Sequence, residues 1–240
     1  MWGRVRRRRS CDAQNERAAA SKPFSARAVG RPFGRRSIEE KQVKVLVNVF
    51  HPNLSASTVN EAWVERLEGE PEVTVRRIYE LYPDGKIDVA AEQEALLAHD
   101  RIVFQHPFYW YSTPPLMKQW LDQVLTYNWA YGPKGRALEG REWVSAISTG
   151  GPAESYRAGG YNNFSMSELM KPLQQTANLV HLKFLPAFIF NGVVQATPAD
   201  VEESAERLAK HILDPLLDPE KRLAALNEKM DGEGIELHAD

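Results

Sequence analysis

The 240-residue sequence lacks several features that mark common protein classes. Cys11 is its only cysteine, which excludes an internal disulfide, a thiolate zinc site and a catalytic cysteine in the main part of the chain. Its histidines show no paired ligand spacing, so no metal site is predicted. The longest apolar-rich segment, 184–194, is far shorter than the roughly 20 apolar residues that cross a bilayer, and we expect a soluble protein. The absence of GxGxxG and GxxxxGK[ST] fingerprints argues against a Rossmann dinucleotide site and a P-loop.

Charge is distributed unevenly along the chain. Residues 1–36 hold 11 Lys or Arg against 2 acidic residues, whereas the remainder holds 19 basic and 30 acidic residues. Because the main part is acidic, nucleic acid is not expected as its principal partner. Residues 1–40 show no apolar periodicity, and we predict a disordered basic extension there. A transit-like peptide, a basic arm for acidic lipid or nucleic acid, and translated upstream sequence are the alternatives.

Strand-like and helix-like patterns alternate from residue 43 onward. The first run, VKVLVNV at 43–49, is apolar and β-branched, which is typical of a buried strand. The same criteria predict strands at 43–49, 73–78, 101–105, 142–148 and 183–190, the last interrupted by Pro186, and helices at 57–67, 88–99, 115–125, 165–179 and 199–217. Such alternation favours right-handed crossovers and a parallel sheet covered on both faces. We therefore predict one doubly wound α/β domain at 41–217, flavodoxin-like and five-stranded with strand order 2-1-3-4-5. A charged tail at 218–240 follows, with a short helix expected near 222–229.

Ligands of such a sheet bind beyond the carboxyl ends of the strands, where the loops after strands 1, 3 and 4 converge. The first of these loops, 51–60, is rich in hydroxyl groups and leads directly into a helix. A helix N-terminus offers free N–H groups and the positive end of the helix dipole, which suit a phosphate. The alternative interpretation is ordinary N-capping by a serine.

The other two loops suggest contact with a planar ligand. The loop 106–115 contains four adjacent aromatic residues between prolines: Phe108, Tyr109, Trp110 and Tyr111. A stiff aromatic ledge suits a flat conjugated ring, although packing against another protomer or a neighbouring helix would also explain it. The loop 148–156 carries Gly150 and Gly151, which let the backbone approach a ligand closely. A phosphate cradle, an aromatic ledge and a glycine turn at one sheet edge match flavin mononucleotide (FMN), with FAD as an open alternative.

Several long motifs carry a resemblance to a known family. They are HPNLSAS at 51–57, YELYPDGKIDVAAEQEALLAHDRIVFQHPFYWYSTPPLMKQWLDQVL at 79–125, WAYG at 129–132 and STGGPAESY at 148–156. In this order they resemble the flavodoxin-like NAD(P)H:quinone oxidoreductases, and more closely the Kef-type ancillary oxidoreductases of glutathione-gated potassium efflux. The resemblance implies FMN, NADH or NADPH as hydride donor, and a quinone-like acceptor. It also implies a cytoplasmic homodimer, free or peripheral at the inner face of the membrane.

The resemblance assigns roles to individual residues as well. Contacts to the flavin phosphate and ribityl chain are implied for His51, Ser57 and Asn60. Contacts to the isoalloxazine ring are implied for Phe108, Tyr109, Trp110, Tyr111, Ser148, Thr149, Gly150 and Gly151. Tyr156 falls where the family has a catalytic tyrosine that stabilises charge during hydride transfer, unless it only anchors its loop. The histidine that accompanies this tyrosine in mammalian-type quinone reductases does not recur, and Tyr161 or Asn162 stands in that neighbourhood.

Other functions remain open at this point. The Kef-type resemblance equally implies a regulatory subunit that binds and activates a potassium efflux transporter. A one-electron carrier is a third interpretation, which the wide aromatic loop and the glycine turn disfavour. On the predicted helix 115–125, Leu116, Trp120 and Val124 form a stripe that belongs either to the core or to a dimer interface.

Overall fold

The computed structural model describes residues 42–233, so the predicted basic extension at 1–40 and the end of the charged tail lie outside the described residues. The strands are β1 (Val45–Val49), β2 (Val73–Arg77), β3 (Arg101–Pro107), β4 (Glu142–Ser148), β5 (Lys183–Phe184) and β6 (Phe188–Phe190). The helices are α1 (Thr58–Leu67), α2 (Ile78–Leu81), α3 (Val89–Leu97), α4 (Pro115–Val124), α5 (Met166–Leu169), α6 (Lys171–Leu179), α7 (Pro198–Leu213) and α8 (Pro219–Glu233).

All strand pairs are parallel, and the order is β2-β1-β3-β4-β5, with β6 continuing beside β4. The predicted flavodoxin-like order is thereby confirmed. Every residue of β1, β3 and β4 is buried, as expected for central strands covered by helices on both faces. Pro107 at the end of β3 pairs with Ser148 at the end of β4, so the loops after these two strands begin side by side.

The predicted boundaries differ from the structure where prolines intervene. The strand predicted at 183–190 is interrupted at Pro186 as expected and forms β5 and β6, because proline has no N–H to continue the ladder. The expected helix 165–179 is α5 followed by α6, with Pro172 in the first turn of α6. The last predicted helix ends at Leu213 instead of Leu217, because Pro215 favours an extended Asp214. The short helix α2 directly after β2 was not predicted.

Two apolar layers cover the sheet. On one face, α1 and α7 pack aliphatic residues and Trp63 against the strands. On the other face, Trp120 of α4 meets Phe50 and Phe104 edge-on, at ring-centroid distances of 5.9 and 5.6 Å. The indole N–H of Trp120 donates to the fully buried Glu92 at 2.9 Å. The stripe of Leu116, Trp120 and Val124 is therefore core.

The amino edge of the sheet is closed by ion pairs. Arg101 opens β3 and donates from Nε to Glu142 at 2.8 Å, where β4 opens. Lys221 of α8 lies 2.9 Å from the same carboxylate. Lys183, which opens β5, contacts Asp218 at 2.7 Å. These contacts hold α8, which is longer than the short helix expected near 222–229. None of the helices between residues 42 and 233 is long and apolar enough to cross a membrane.

Candidate active site at the carboxyl edge of the sheet

The loop after β1 presents the N-terminus of α1. Ser57 is the N-cap, and its Oγ accepts from the backbone N–H of Asn60 at 3.3 Å and from the Asn60 amide at 3.1 Å. Since Oγ acts only as acceptor in both bonds, its own proton remains free to donate. The first N–H groups of a helix, here those of Thr58 and Val59, have no partner within the helix. This terminus thus combines free backbone donors with a hydroxyl donor.

His51 lies at the start of the same loop and is half-buried. Its Nδ1 accepts the backbone N–H of Asn53 at 3.2 Å. Burial lowers the pKa of the His51 imidazole, which favours the neutral ring. A neutral ring that accepts at Nδ1 carries its proton on Nε2. His51 is therefore a neutral hydrogen-bond donor at the loop entrance.

Asn60 is buried behind the loop instead of lining its surface. Its Nδ2 donates to Ser148 Oγ at 3.0 Å as well as to Ser57. Gln105 of β3 donates to the Asn60 carbonyl oxygen at 3.0 Å. Asn60 and Ser148 thus connect the helix N-terminus to the end of β4. Of the residues expected to meet the phosphate and ribityl chain, Asn60 is positioned to hold the loop in place.

The aromatic ledge after β3 is a tight turn in a strained conformation. The Ser112 N–H donates to the Tyr109 carbonyl at 2.9 Å, and the two central residues, Trp110 and Tyr111, have φ of +49° and +58°. Positive φ at both central positions is the pattern of a type I′ turn, for which Asn-Gly is favoured. Bulky residues rarely adopt it, and such strain clusters at functional sites. Trp110 is nevertheless 92% exposed.

The loops after β3 and β4 enclose one cleft of about 430 Å³. Its lining joins the aromatic turn, the glycine turn and the segment beyond it: Phe108, Trp110, Tyr111, Gly150, Gly151, Pro152, Ser155, Tyr156, Tyr161 and Asn162. The Phe108 ring meets the Tyr156 ring edge-on at 6.2 Å. The predicted ring-contacting residues Ser148 and Thr149 are buried beneath the cleft, and Tyr109 lies outside its lining.

The glycine turn is anchored from behind. Thr149 Oγ1 lies 2.9 Å from the Gly151 carbonyl and 3.0 Å from Asn191 Oδ1. The Gly192 N–H donates to the same Gly151 carbonyl at 2.9 Å. Sequence reasoning missed Asn191 as part of this support. No local pattern could have indicated it, because the contact arises only where β6 aligns with β4.

A buried histidine that sequence reasoning also missed lies directly before the ledge. His106 is fully buried, and burial lowers the pKa of its imidazole to about 4. Its Nδ1 lies 3.0 Å from the Pro107 carbonyl, so Nδ1 carries the proton of the neutral ring. Nε2 has no hydrogen-bond partner among residues 42–233. Within the same range no cluster of three or more potential metal ligands is found.

Comparison with known proteins identifies the family. The chain belongs to the flavodoxin-like fold family, whose model matches residues 43–212. It is 52% identical over 181 residues to an uncharacterized NAD(P)H oxidoreductase of Bacillus subtilis (strain 168), an alignment covering 75% of this chain and 92% of that protein. It is 45% identical over 169 residues to the glutathione-regulated potassium-efflux system ancillary protein KefF of Salmonella typhi, covering 70% of this chain and 95% of KefF.

Solved structures agree with this assignment. General stress protein 14 of Treponema denticola, solved in complex with FMN, is 46% identical with a TM-score of 0.67, covering 69% of this chain and 96% of that one. An NADPH-quinone reductase of P. pentosaceus is 31% identical with a TM-score of 0.66, covering 71% and 98%. The predicted relationship to NAD(P)H oxidoreductases and Kef ancillary proteins is thus confirmed.

Proposed function

We propose that this chain is an FMN-dependent NAD(P)H:quinone oxidoreductase that carries out two-electron transfer from NADH or NADPH to a quinone-like acceptor. The observation that carries the proposal is the cleft between the strained aromatic turn and the glycine turn, linked through Asn60 and Ser148 to the N-terminus of α1. The relatives named for NAD(P)H oxidoreductase activity and the FMN complex support it.

The residues present suit FMN at both of its ends. The N–H groups that open α1, the Ser57 hydroxyl and the neutral His51 ring are hydrogen-bond donors for the phosphate. For the isoalloxazine, the cleft supplies aromatic walls at Phe108 and Trp110. Gly151 has no side chain of its own, so the ring can come close to its backbone. These donors and walls belong to separate loops, as the two ends of the cofactor require. FMN is therefore the proposed cofactor, and FAD would need additional room for its adenylate.

The protein would contribute binding and orientation, since the redox chemistry is that of the flavin. Bound FMN supplies a hydride acceptor that NAD(P)H reduces and a quinone then reoxidises. The exposed Trp110 and Tyr161 flank the cleft and would stack the flat rings of donor and acceptor in turn. Tyr156 would donate a hydrogen bond to charge that develops during the transfer.

The decisive experiment is the visible absorption spectrum of the purified protein with added FMN. Flavin bands that bleach on addition of NADH or NADPH under argon, and return with a quinone, are the expected result. Failure of the wild-type protein to bind FMN would contradict the proposal.

Two glycine variants test the location of the flavin. A Cβ on Gly151 would lie 3.4 Å from the Tyr156 ring, so Gly151→Val should crowd the cleft and weaken FMN binding about 10- to 100-fold. Gly69→Val is the matched control, because Gly69 lies outside the cleft lining and a Cβ there meets only the Arg66 carbonyl, at 3.6 Å. Equal FMN affinities of the two variants, measured by fluorescence titration, would remove the glycine turn from the site.

A homodimer is part of the proposal. A groove of about 360 Å³ between α4 and α6 is lined by polar residues and by apolar ones that include Leu121, Leu173 and Leu179. Leu179 in this groove and Tyr127 after α4 are 54% and 61% exposed, and together with the groove they would supply apolar surface for association. Light scattering after gel filtration should give the mass of a dimer, and a monomer at micromolar concentration would contradict this.

Regulation of a potassium efflux transporter is the second candidate function. It is favoured by the identity to KefF over nearly the whole length of that protein. A cytoplasmic location, free or at the inner face of the membrane, belongs to this proposal. Co-purification with a transporter from native membranes would support it, and a flavin-loaded enzyme found only in the soluble fraction would argue against it.

A further inference from the structure

A second cavity borders the cleft at Pro152. It measures about 540 Å³, and Pro152 belongs to the lining of both spaces. Its polar lining consists of two carboxylates and two amides, those of Glu154, Asp200, Asn191 and Gln195. The loop after β4, the loop after β6 and the first turn of α7 thus meet around it. Because the two spaces share a wall, a ligand longer than the cleft can extend past Pro152 into this cavity.

The two carboxylates give this cavity a negative charge. Asp200 Oδ2 accepts the backbone N–H and the hydroxyl of Thr197 at 2.8 and 2.6 Å, in the capping box that opens α7. These bonds lower the pKa of the Asp200 carboxyl, so it is ionised at neutral pH. The Glu154 carboxylate is exposed and has no hydrogen-bond or ion-pair partner among residues 42–233. In this part of the chain no lysine or arginine lines the cavity, so nothing in its lining neutralises the carboxylates.

Such a lining suits a neutral, hydroxylated group and disfavours a phosphate. Ionised carboxylates accept hydrogen bonds from the adjacent hydroxyls of a ribose, and the amides of Asn191 and Gln195 can donate to the same oxygens. The same carboxylates repel a phosphate at close range. The two nicotinamide donors differ at this very group, because the adenosine ribose of NADH has a free 2′-hydroxyl and that of NADPH carries a 2′-phosphate. The cavity therefore has the chemistry to distinguish them.

We propose that this cavity binds the adenosine ribose of the nicotinamide donor and that Glu154 and Asp200 select NADH over NADPH. The inference rests on the proposed function, since it names which of the two donors reduces the flavin. The nicotinamide ring would lie in the cleft beside the aromatic turn, and the rest of the dinucleotide would pass Pro152. Glu154 and Asp200 would act on the binding of the donor and take no part in hydride transfer.

The test is kcat/KM of the FMN-loaded protein with NADH and with NADPH. The wild-type protein should favour NADH about tenfold or more. Glu154→Gln removes the charge but keeps an oxygen acceptor, so kcat/KM should rise about tenfold with NADPH and fall less than about threefold with NADH. Glu154→Arg should make NADPH the better donor, because a guanidinium binds phosphate. Asp200→Asn should act in the same direction as Glu154→Gln.

A control variant and a binding measurement separate contact in the cavity from a general effect of charge. Glu168→Gln is the matched control, because Glu168 is an exposed carboxylate in the capping box of α5 and lies outside the linings of cleft and cavity. It should leave the ratio of the two kcat/KM values unchanged. ADP-ribose should compete with NADH about tenfold more strongly than 2′-phospho-ADP-ribose in the wild-type protein, and this difference should disappear in Glu154→Arg.

The outcomes distinguish the inference from the proposed function. Equal kcat/KM values for the two donors in the wild-type protein, or a ratio that Glu154→Arg does not move, would overturn the ribose site and leave the oxidoreductase standing. A shift in Glu168→Gln as large as that in Glu154→Gln would overturn the site as well, because distant charge would then explain the preference. A wild-type protein that binds no FMN would overturn the proposed function, and the ribose site with it.

Discussion

The amino and carboxyl edges of the sheet are built in opposite ways. At the amino edge, Arg101 is completely buried and every strand opening from β3 to β5 carries a charged residue with an opposite partner. At the carboxyl edge, the side chains that line the cleft are uncharged, Trp110 is almost fully exposed, and two aromatic residues hold left-handed backbone conformations. The charged groups of the amino edge are paired, whereas the carboxyl edge leaves hydrogen-bond donors unpaired and apolar surface exposed.

This difference separates stability from binding. A buried charge needs its partner, so the ion pairs of the amino edge resist opening. Strained backbone and exposed aromatic rings reduce stability unless a ligand uses them. A cofactor bound at the carboxyl edge would therefore offset the free energy that the strained turn and the exposed rings cost the folded chain.

The largest effect is expected at the amino edge. Arg101→Met removes one of the two partners of the buried Glu142 carboxylate, the other being Lys221, and also the bonds to the carbonyls of Ile212 and Asp214. The free energy of unfolding should fall by about 3–5 kcal/mol, measured by urea denaturation. Arg136→Met is the matched control, because its ion pair with Glu139 is exposed on both sides, and it should cost about 1 kcal/mol or less. Equal losses in the two variants would contradict the contrast between buried and exposed pairs.

The next effect concerns the buried histidine behind the ledge. Burial lowers the pKa of His106 from 6.5 to about 4, so between these values the unfolded chain binds a proton that the folded chain does not. The stability contribution is complete above pH 6.5 and is lost as the pH falls toward 4, by about 3 kcal/mol in all.

The variant His106→Gln tests this, because glutamine does not titrate. Between pH 7 and pH 4, the unfolding free energy of this variant should fall by about 3 kcal/mol less than that of the wild-type protein. Parallel declines in the two proteins would show that His106 is accessible to protons in the folded state.

The smallest effect is a gain in stability at the carboxyl edge. Replacing Trp110 and Tyr111 with Asn and Gly supplies the residues that a type I′ turn favours. Relief of backbone strain, offset by loss of the Tyr111–Asn162 hydrogen bond, should raise the free energy of unfolding by about 1 kcal/mol. FMN affinity should fall at the same time. A variant that is less stable would show that the turn is not strained.

Sequence reasoning recovered the sheet and most of the cleft. The β-branched run of β1 and the alternation after it were sufficient for the strand order, because central parallel strands must be apolar on both faces. It also recovered the interruption of the last strand at Pro186, because proline has no N–H for the ladder. It did not give the extent of α8, because this helix depends on ion pairs to residues far away in the sequence.

The sequence by itself determined the fold class, the edge of the sheet that carries the candidate site, and the residue types gathered there, because these follow from periodicity and from chain order along parallel strands. Only the tertiary structure decided the role of each residue. In the tertiary structure, Asn60 is buried and donates to Ser148, and Trp120 lies in the core. Asn162 lies beside Tyr156 near Gly151, and its amide oxygen accepts the Tyr111 hydroxyl. Such roles depend on contacts between side chains that are distant in sequence, which local patterns do not specify.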